Sequence, residues 1–200
     1  MAGVALPCKN SNAMTNHHPN VLSADEAFLV VIDVQERFRS LQKDFGRMVA
    51  GSVRLVRTFR LLELPILVTE QYPKGLGHTV PELQEALGGS EALTKTCFSS
   101  CGSEEFSRRL RELGRRQALV CGIETHVCVS QTVHDLLQSG FAVQVAVDAV
   151  ESRNSLDREV AIRRMERSGA ILTTSEAAAF ELLSDAKNPK FKEVQALFKE

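Results

Sequence analysis

The chain has no tryptophan and one tyrosine in 200 residues. An aromatic platform for stacking single-stranded bases is therefore not expected. Neither sign of charge is in excess: 24 Lys+Arg against 25 Asp+Glu leave a formal net charge of −1. That balance excludes a generic nucleic-acid binder, which carries a basic excess, and a polybasic membrane anchor. No apolar run has the length of a membrane span or the layout of a signal peptide. Cysteine is sparse and odd in number: Cys8, Cys97, Cys101, Cys121 and Cys128, five in all. A disulfide scaffold does not fit an odd count, and a reducing, cytoplasmic setting does. Most such cysteines are small buried hydrophobes, so the question is whether one of them differs.

What is present has a clear order. Residues 1–25, with His17, His18 and Pro19, are polar and aperiodic and predict a flexible N-terminal tail, leaving 26–200 as one domain. Phe28 to Ile32 is continuously apolar and ends at Asp33, as a strand buried on both faces does. Apolar residues then recur at helical spacing from Phe45 to Leu64, stopped by Pro65. The spacing further predicts strands over 66–69, 91–94, 117–121, 142–147 and 170–173. It predicts helices over 81–88, 103–113, 125–139, 155–168 and 175–186, with a short last helix opened by Pro189. Strands alternating with helices imply right-handed crossovers and a parallel sheet covered on both faces. The fold expected is a single three-layer α/β/α domain with six parallel strands in the Rossmann-like order 3-2-1-4-5-6.

In such folds ligands bind beyond the carboxyl ends of the strands. There the sequence places Asp33 after the first strand, Lys95 after the third, Gly122 to Cys128 after the fourth and Asp148 at the end of the fifth. Cys128 falls in the opening turn of a helix, where free N–H groups and the helix dipole favour an anion and lower a thiol pKa. Lys95 would lower it further, and Asp33 could take its proton. The same N–H groups could hold an oxyanion. The plainer readings are a turn-capping Asp, a solvated Lys and a packed Cys. Cys121 lies within an apolar strand and reads as core. Cys97 and Cys101 lie in the loop after Lys95 without assigned chemistry. Cys97, Cys101, Cys121, His126 and Cys128 do not show the paired spacing of a structural zinc site. Gly75-Leu76-Gly77 is too short for a phosphate fingerprint. The stretch from Glu70 to Gly77 reads as a substrate-covering loop or as a simple turn.

Three segments together carry a resemblance: Val30-Val-Ile-Asp-Val-Gln35, Leu93-Thr-Lys-Thr-Cys-Phe98, and Cys121-Gly-Ile-Glu-Thr-His-Val-Cys-Val129 with Ser130-Gln131-Thr132. In this order and spacing the chain resembles the isochorismatase-like cysteine hydrolase superfamily over residues 26–198. Val68 to Gly77, with Thr79 to Leu83, resembles its isochorismatase-domain-containing branch, whose substrates are poorly defined. The resemblance implies Asp33 as general base, Lys95 as support for a thiolate and Cys128 as nucleophile. It also implies a cis peptide between Ile123 and Glu124, with the N–H groups of Glu124 and Cys128 aimed at an oxyanion. Candidate substrate-binding residues are Gln35, Phe38, Tyr72, Phe98 and Thr132, with Leu76 as a further wall residue. Nicotinamidases of the superfamily hold a metal through an Asp-x-His pair and a further His; residues 44–70 contain no His, so neither metal nor other cofactor is expected. The activity implied is metal-independent hydrolysis of an amide-like C–N bond in a small molecule. The rivals are isochorismatase-type vinyl-ether hydrolysis and a vestigial binding protein. Members of the superfamily often assemble, which makes a homo-oligomer a further expectation.

Overall fold

The computed structural model describes residues 18–199. It contains one six-stranded parallel sheet in the order β3-β2-β1-β4-β5-β6. The strands are β1 (Ala27–Ile32), β2 (Ile66–Gln71), β3 (Leu93–Lys95), β4 (Gln117–Ile123), β5 (Ala142–Glu151) and β6 (Ile171–Thr173). The helices are α1 (Phe45–Leu61), α2 (Pro73–Leu76), α3 (Pro81–Leu87), α4 (Glu104–Glu112), α5 (Ser130–Gln138), α6 (Ser155–Arg167), α7 (Ser175–Leu183) and α8 (Phe191–Ala196).

Strand β1 shows why its sequence is apolar throughout. Ala27, Leu29 and Val31 point into one core with Met48, Leu55 and Phe59 of α1, Leu83 of α3 and Leu182 of α7. Phe28, Val30 and Ile32 point into a second core with Phe106 of α4, Val133 and Leu136 of α5 and Met165 of α6. Successive side chains alternate between two covered faces, so no polar position is left. The strand order reverses at β1, and its carboxyl end with that of β4 forms the crevice where such folds bind ligands.

The structure shortens or shifts several expected elements. The first helix ends at Leu61, not Leu64, because Glu63 turns left-handed (φ 56°) and Leu64 N–H returns to the Phe59 carbonyl at 2.7 Å. The seventh helix ends at Leu183, not Ala186, at a similar turn on Ser184 (φ 56°). The last helix opens at Phe191, and the third strand is Leu93–Lys95, so Lys95 belongs to the strand it was expected to follow. The fifth strand does not stop at Val147. It runs to Glu151 through an irregularity opposite Val120 and Gly122. Asp148 therefore lies inside the strand, and its carboxylate accepts from Ser175 N–H at 2.8 Å and from the Ser175 hydroxyl, capping α7. It is not a site acid.

The tail expected over 1–25 also needs correction at its end. Leu22 is buried, and its N–H donates to Glu181 at 2.8 Å. Ser23 N–H donates to the Gln117 side chain at 2.7 Å, and the Gln144 amide donates to the Asn20 carbonyl at 2.7 Å. The segment is held by its backbone, which side chains of Glu181, Gln117 and Gln144 bond from α7, β4 and β5. Residues 1–17, with Cys8 and His17, lie outside the described residues.

Candidate active site

Asp33 leaves β1 in a left-handed conformation (φ 54°) that Asp tolerates better than most residues. Its carboxylate is 1% exposed. One oxygen accepts from the Thr69 hydroxyl at 2.7 Å, the other from Lys95 Nζ at 2.6 Å. Lys95, 3% exposed, also donates to Gln71 Oε1 at 2.7 Å and to the carbonyls of Phe98 (3.1 Å) and Cys97 (3.2 Å). A buried ammonium persists only with such partners, and every one of them is an acceptor.

Cys128 completes the group. It is 6% exposed, and its thiol lies within the electrostatic reach of both Asp33 and Lys95. The segment carrying it is not the first turn of an α-helix. Thr125–Val129 is a π-turn that precedes α5, and Val129 N–H reaches back to the Glu124 carbonyl at 3.2 Å. The extra residue per turn is a common device at functional sites; no sequence signal marks it. The peptide bond before it, Ile123–Glu124, is cis. Gly122 (φ 121°) packs so tightly on β1 that a Cβ would lie 2.1 Å from the Ile32 carbonyl oxygen, which explains the glycine.

One electrostatic expectation is reversed. The Cys128 thiol is pushed up to about 12, not lowered. Burial is the largest cause, the Asp33 charge adds to it, and the Lys95 charge offsets only part. At rest the site therefore holds a neutral thiol beside a carboxylate–ammonium pair. Cys121, fully buried in the core, is also pushed up to about 12, by burial first. Cys97 and Cys101 are half-buried, and burial pushes Cys101 up to about 11. Cys128 is thus separated from the other described cysteines by its partners, not by a low pKa.

The candidate substrate-binding residues divide. Tyr72 and Phe98 are 54% and 55% exposed at the carboxyl edge. Phe38 and Leu76 are half-buried, Phe38 packing against the first core. Gln35 and Thr132 are fully buried and occupied. The Gln35 amide donates to the carbonyls of Gln71 (3.0 Å) and Gly77 (2.5 Å), and its oxygen accepts from Gln71 N–H at 2.8 Å. The Thr132 hydroxyl donates to the Cys128 carbonyl at 2.7 Å and accepts from Ser100 N–H at 2.9 Å. Both tie the frame of the site and offer nothing to a ligand. The Glu124 carboxylate likewise faces away, accepting from Arg153 Nε at 2.9 Å.

The segment after β2 covers this edge. Tyr72 N–H donates to the Lys95 carbonyl at 2.9 Å. Gly75 lies under the Tyr72 ring, where a Cβ would meet ring carbons at 2.7 Å. Glu70 holds the far end: one carboxylate oxygen accepts from Thr79 N–H (2.6 Å) and Oγ1 (2.8 Å), the other lies 3.0 Å from His78 Nδ1. Burial raises the Glu70 pKa, but the Thr79 and His78 hydrogen bonds outweigh it and hold the carboxyl below its usual range. Among the described residues, no three His, Cys, Asp or Glu side chains converge as a metal cage requires.

A doubly wound parallel sheet, with an acid, an amine and a thiol gathered at the carboxyl edge beside its reversal point, defines a three-layer α/β protein with a candidate site at its switch point. The isochorismatase-domain model matches residues 27–177, and the chain belongs to the isochorismatase family. It is 47% identical over 176 residues to isochorismatase domain-containing protein 2 of Macaca fascicularis, covering 87% of this chain and 83% of the relative. Among solved structures it is similar to one described as MAR1 ribonuclease from Caenorhabditis elegans, with TM-score 0.85, 45% identity, and 90% and 93% of the two chains covered. YcaC of Pseudomonas aeruginosa, solved with hexane-2,5-diol and covalent acrylamide, gives TM-score 0.84 at 26% identity over 90% and 93% of the chains. The Escherichia coli YcaC product, described as an octameric hydrolase of unknown specificity, gives 0.83 at 26% over 89% of each chain.

Proposed function

We propose that this chain is a metal-independent cysteine hydrolase that cleaves an amide-like C–N bond in a small molecule. The observation that carries the reading is the buried Asp33–Lys95 pair at 2.6 Å, with the buried Cys128 thiol under the influence of both charges. A thiol pushed up to about 12 is not a stored thiolate, so its proton moves to Asp33 as sulfur attacks the carbonyl carbon. The ammonium of Lys95 stays in place and compensates the charge that develops on sulfur. The carbonyl oxygen becomes an oxyanion, for which the N–H groups of Glu124 and Cys128 are the proposed donors. One such donor is worth about 3–4 kcal/mol in comparable sites. Asp33 then gives the proton to the departing amine, leaving a thioester on Cys128. Water attacks that thioester, Asp33 accepts its proton, and the acid departs as the thiol reforms.

The vinyl-ether and vestigial readings leave Cys128 without a chemical task. Cleavage of RNA, taken from the name of the C. elegans protein, is met by a formal net charge of −1 and a buried trio. Turnover of a panel of small amides by the native chain and by Cys128→Ala tests the reading. Loss of all amide turnover in the variant is expected; full retention would sink the covalent route.

The proposed assembly is a homo-oligomer. The five exposed large hydrophobics of the described residues are Leu41, Tyr72, Phe98, Leu156 and Val160. All lie on segments that leave carboxyl ends of strands, where a second copy can cover them. The octameric E. coli YcaC supports the same reading.

A further inference from the structure

Gln71 is the last residue of β2 and pairs in register with Lys95 of β3, so both side chains leave the same face of the sheet. Its amide cannot turn freely. Nε2 donates to the Thr96 carbonyl at 2.8 Å, which leaves Oε1 aimed at Lys95 Nζ, 2.7 Å away. Its backbone is held as firmly, because the Gln35 side chain bonds both the N–H and the carbonyl of Gln71, at 2.8 and 3.0 Å. Gln35 stands two residues after Asp33. The bonds therefore close a ring: Asp33 to Lys95, Lys95 to Gln71, Gln71 to Gln35, and back along the chain to Asp33.

Every other acceptor on the ammonium except Asp33 is uncharged: the carbonyls of Cys97 and Phe98 and this amide. An amide oxygen fixes a cation by dipole without cancelling its charge; a carboxylate at the same place would neutralise it. We propose that Gln71 is a positioning residue that holds the Lys95 ammonium against Asp33 while leaving its positive charge free to act on Cys128. The inference rests on the proposed roles of Asp33, Lys95 and Cys128. It adds a residue that touches neither the thiol nor the carboxylate.

The test compares the full native chain with Gln71→Glu and Gln71→Met. One readout is the NMR signal of the Lys95 side-chain ammonium. The other is the rate of acrylamide addition to Cys128, followed by mass spectrometry from about pH 6 to 10. Gln71→Glu keeps an acceptor and the shape of the native side chain. It should retain the ammonium signal but slow addition roughly tenfold at each pH of this range, as a thiol raised by about one further pH unit requires. Gln71→Met should broaden or lose the ammonium signal and slow addition at every pH. Native addition rates and an intact ammonium signal in both variants, at unchanged thermal stability, overturn the proposal. If the native chain forms no Cys128 adduct, the catalytic reading fails on its own. The ammonium signal then still decides the positioning claim: its loss in Gln71→Met upholds it, its persistence overturns it.

Discussion

Lys95 and Asp33 are each costly to bury alone, and each is tolerated because the other is there. Lys95→Met leaves the Asp33 carboxylate 1% exposed with only Thr69 as a side-chain donor. Urea unfolding should show a loss of about 3–5 kcal/mol. The double variant Lys95→Met with Asp33→Asn should lose much less than the sum of the two single losses, since no uncompensated charge remains. Asp33→Asn alone removes the proposed proton acceptor and should lower amide turnover by about 10²–10⁴, while the amide still accepts from Thr69. At this scale the sequence was informative. Asp33, Lys95 and Cys128 stand at element ends or starts that periodicity marks, and a doubly wound sheet brings such ends together. It misled on the thiol pKa, because a helix-start argument counts N–H groups and omits burial and the neighbouring carboxylate, the terms that dominate here.

The elements around the trio work as fixtures. The Glu70 carboxylate fastens the segment that follows β2 by two bonds to Thr79 and one to His78. A carboxyl held below its usual range stabilises the fold above its unfolded pKa and releases that stabilisation as pH falls through the lowered folded value. Protection of the Thr79 amide from hydrogen exchange, taken relative to its intrinsic rate, should therefore be high at neutral pH and fall only in acid below the ordinary carboxylate range. Glu70→Ala should lower that protection at both. Gly122 gives a second check: Gly122→Ala places a Cβ against the Ile32 carbonyl at a φ of 121°, and thermal melting should show strong destabilisation. Most strands and helices were legible because their apolar periods differ. The π-turn at Thr125–Val129 and the irregularity in β5 were not, because neither an extra residue in a turn nor the longer path from Val145 to Val150 opposite Val120 to Gly122 changes the pattern of residue types. The bonds of Gln35 and Thr132 within the frame were not legible for a related reason: composition shows that a polar residue is at the edge, not which backbone groups it satisfies.

On the scale of the whole molecule, the carboxyl edge combines a buried reactive group with a rim of exposed apolar side chains. Leu156 and Val160 stand one turn apart at the start of α6, and charging that stripe with Leu156→Asp and Val160→Asp should dissociate the proposed oligomer. Sedimentation equilibrium should then give the mass of a single 22.0 kDa chain; an unchanged mass would place the interface elsewhere. No helix among the described residues is long and apolar enough to cross a membrane. The central claim is that Cys128 becomes acylated during turnover. Its most direct test is acid quenching of the chain with an amide it hydrolyses, followed by peptide mass mapping. The account predicts an acyl mass on the peptide containing Cys128, absent in Cys128→Ala and strongly reduced in Asp33→Asn. Sustained hydrolysis by Cys128→Ala, with no acyl mass on the native chain at any quench time, would contradict it.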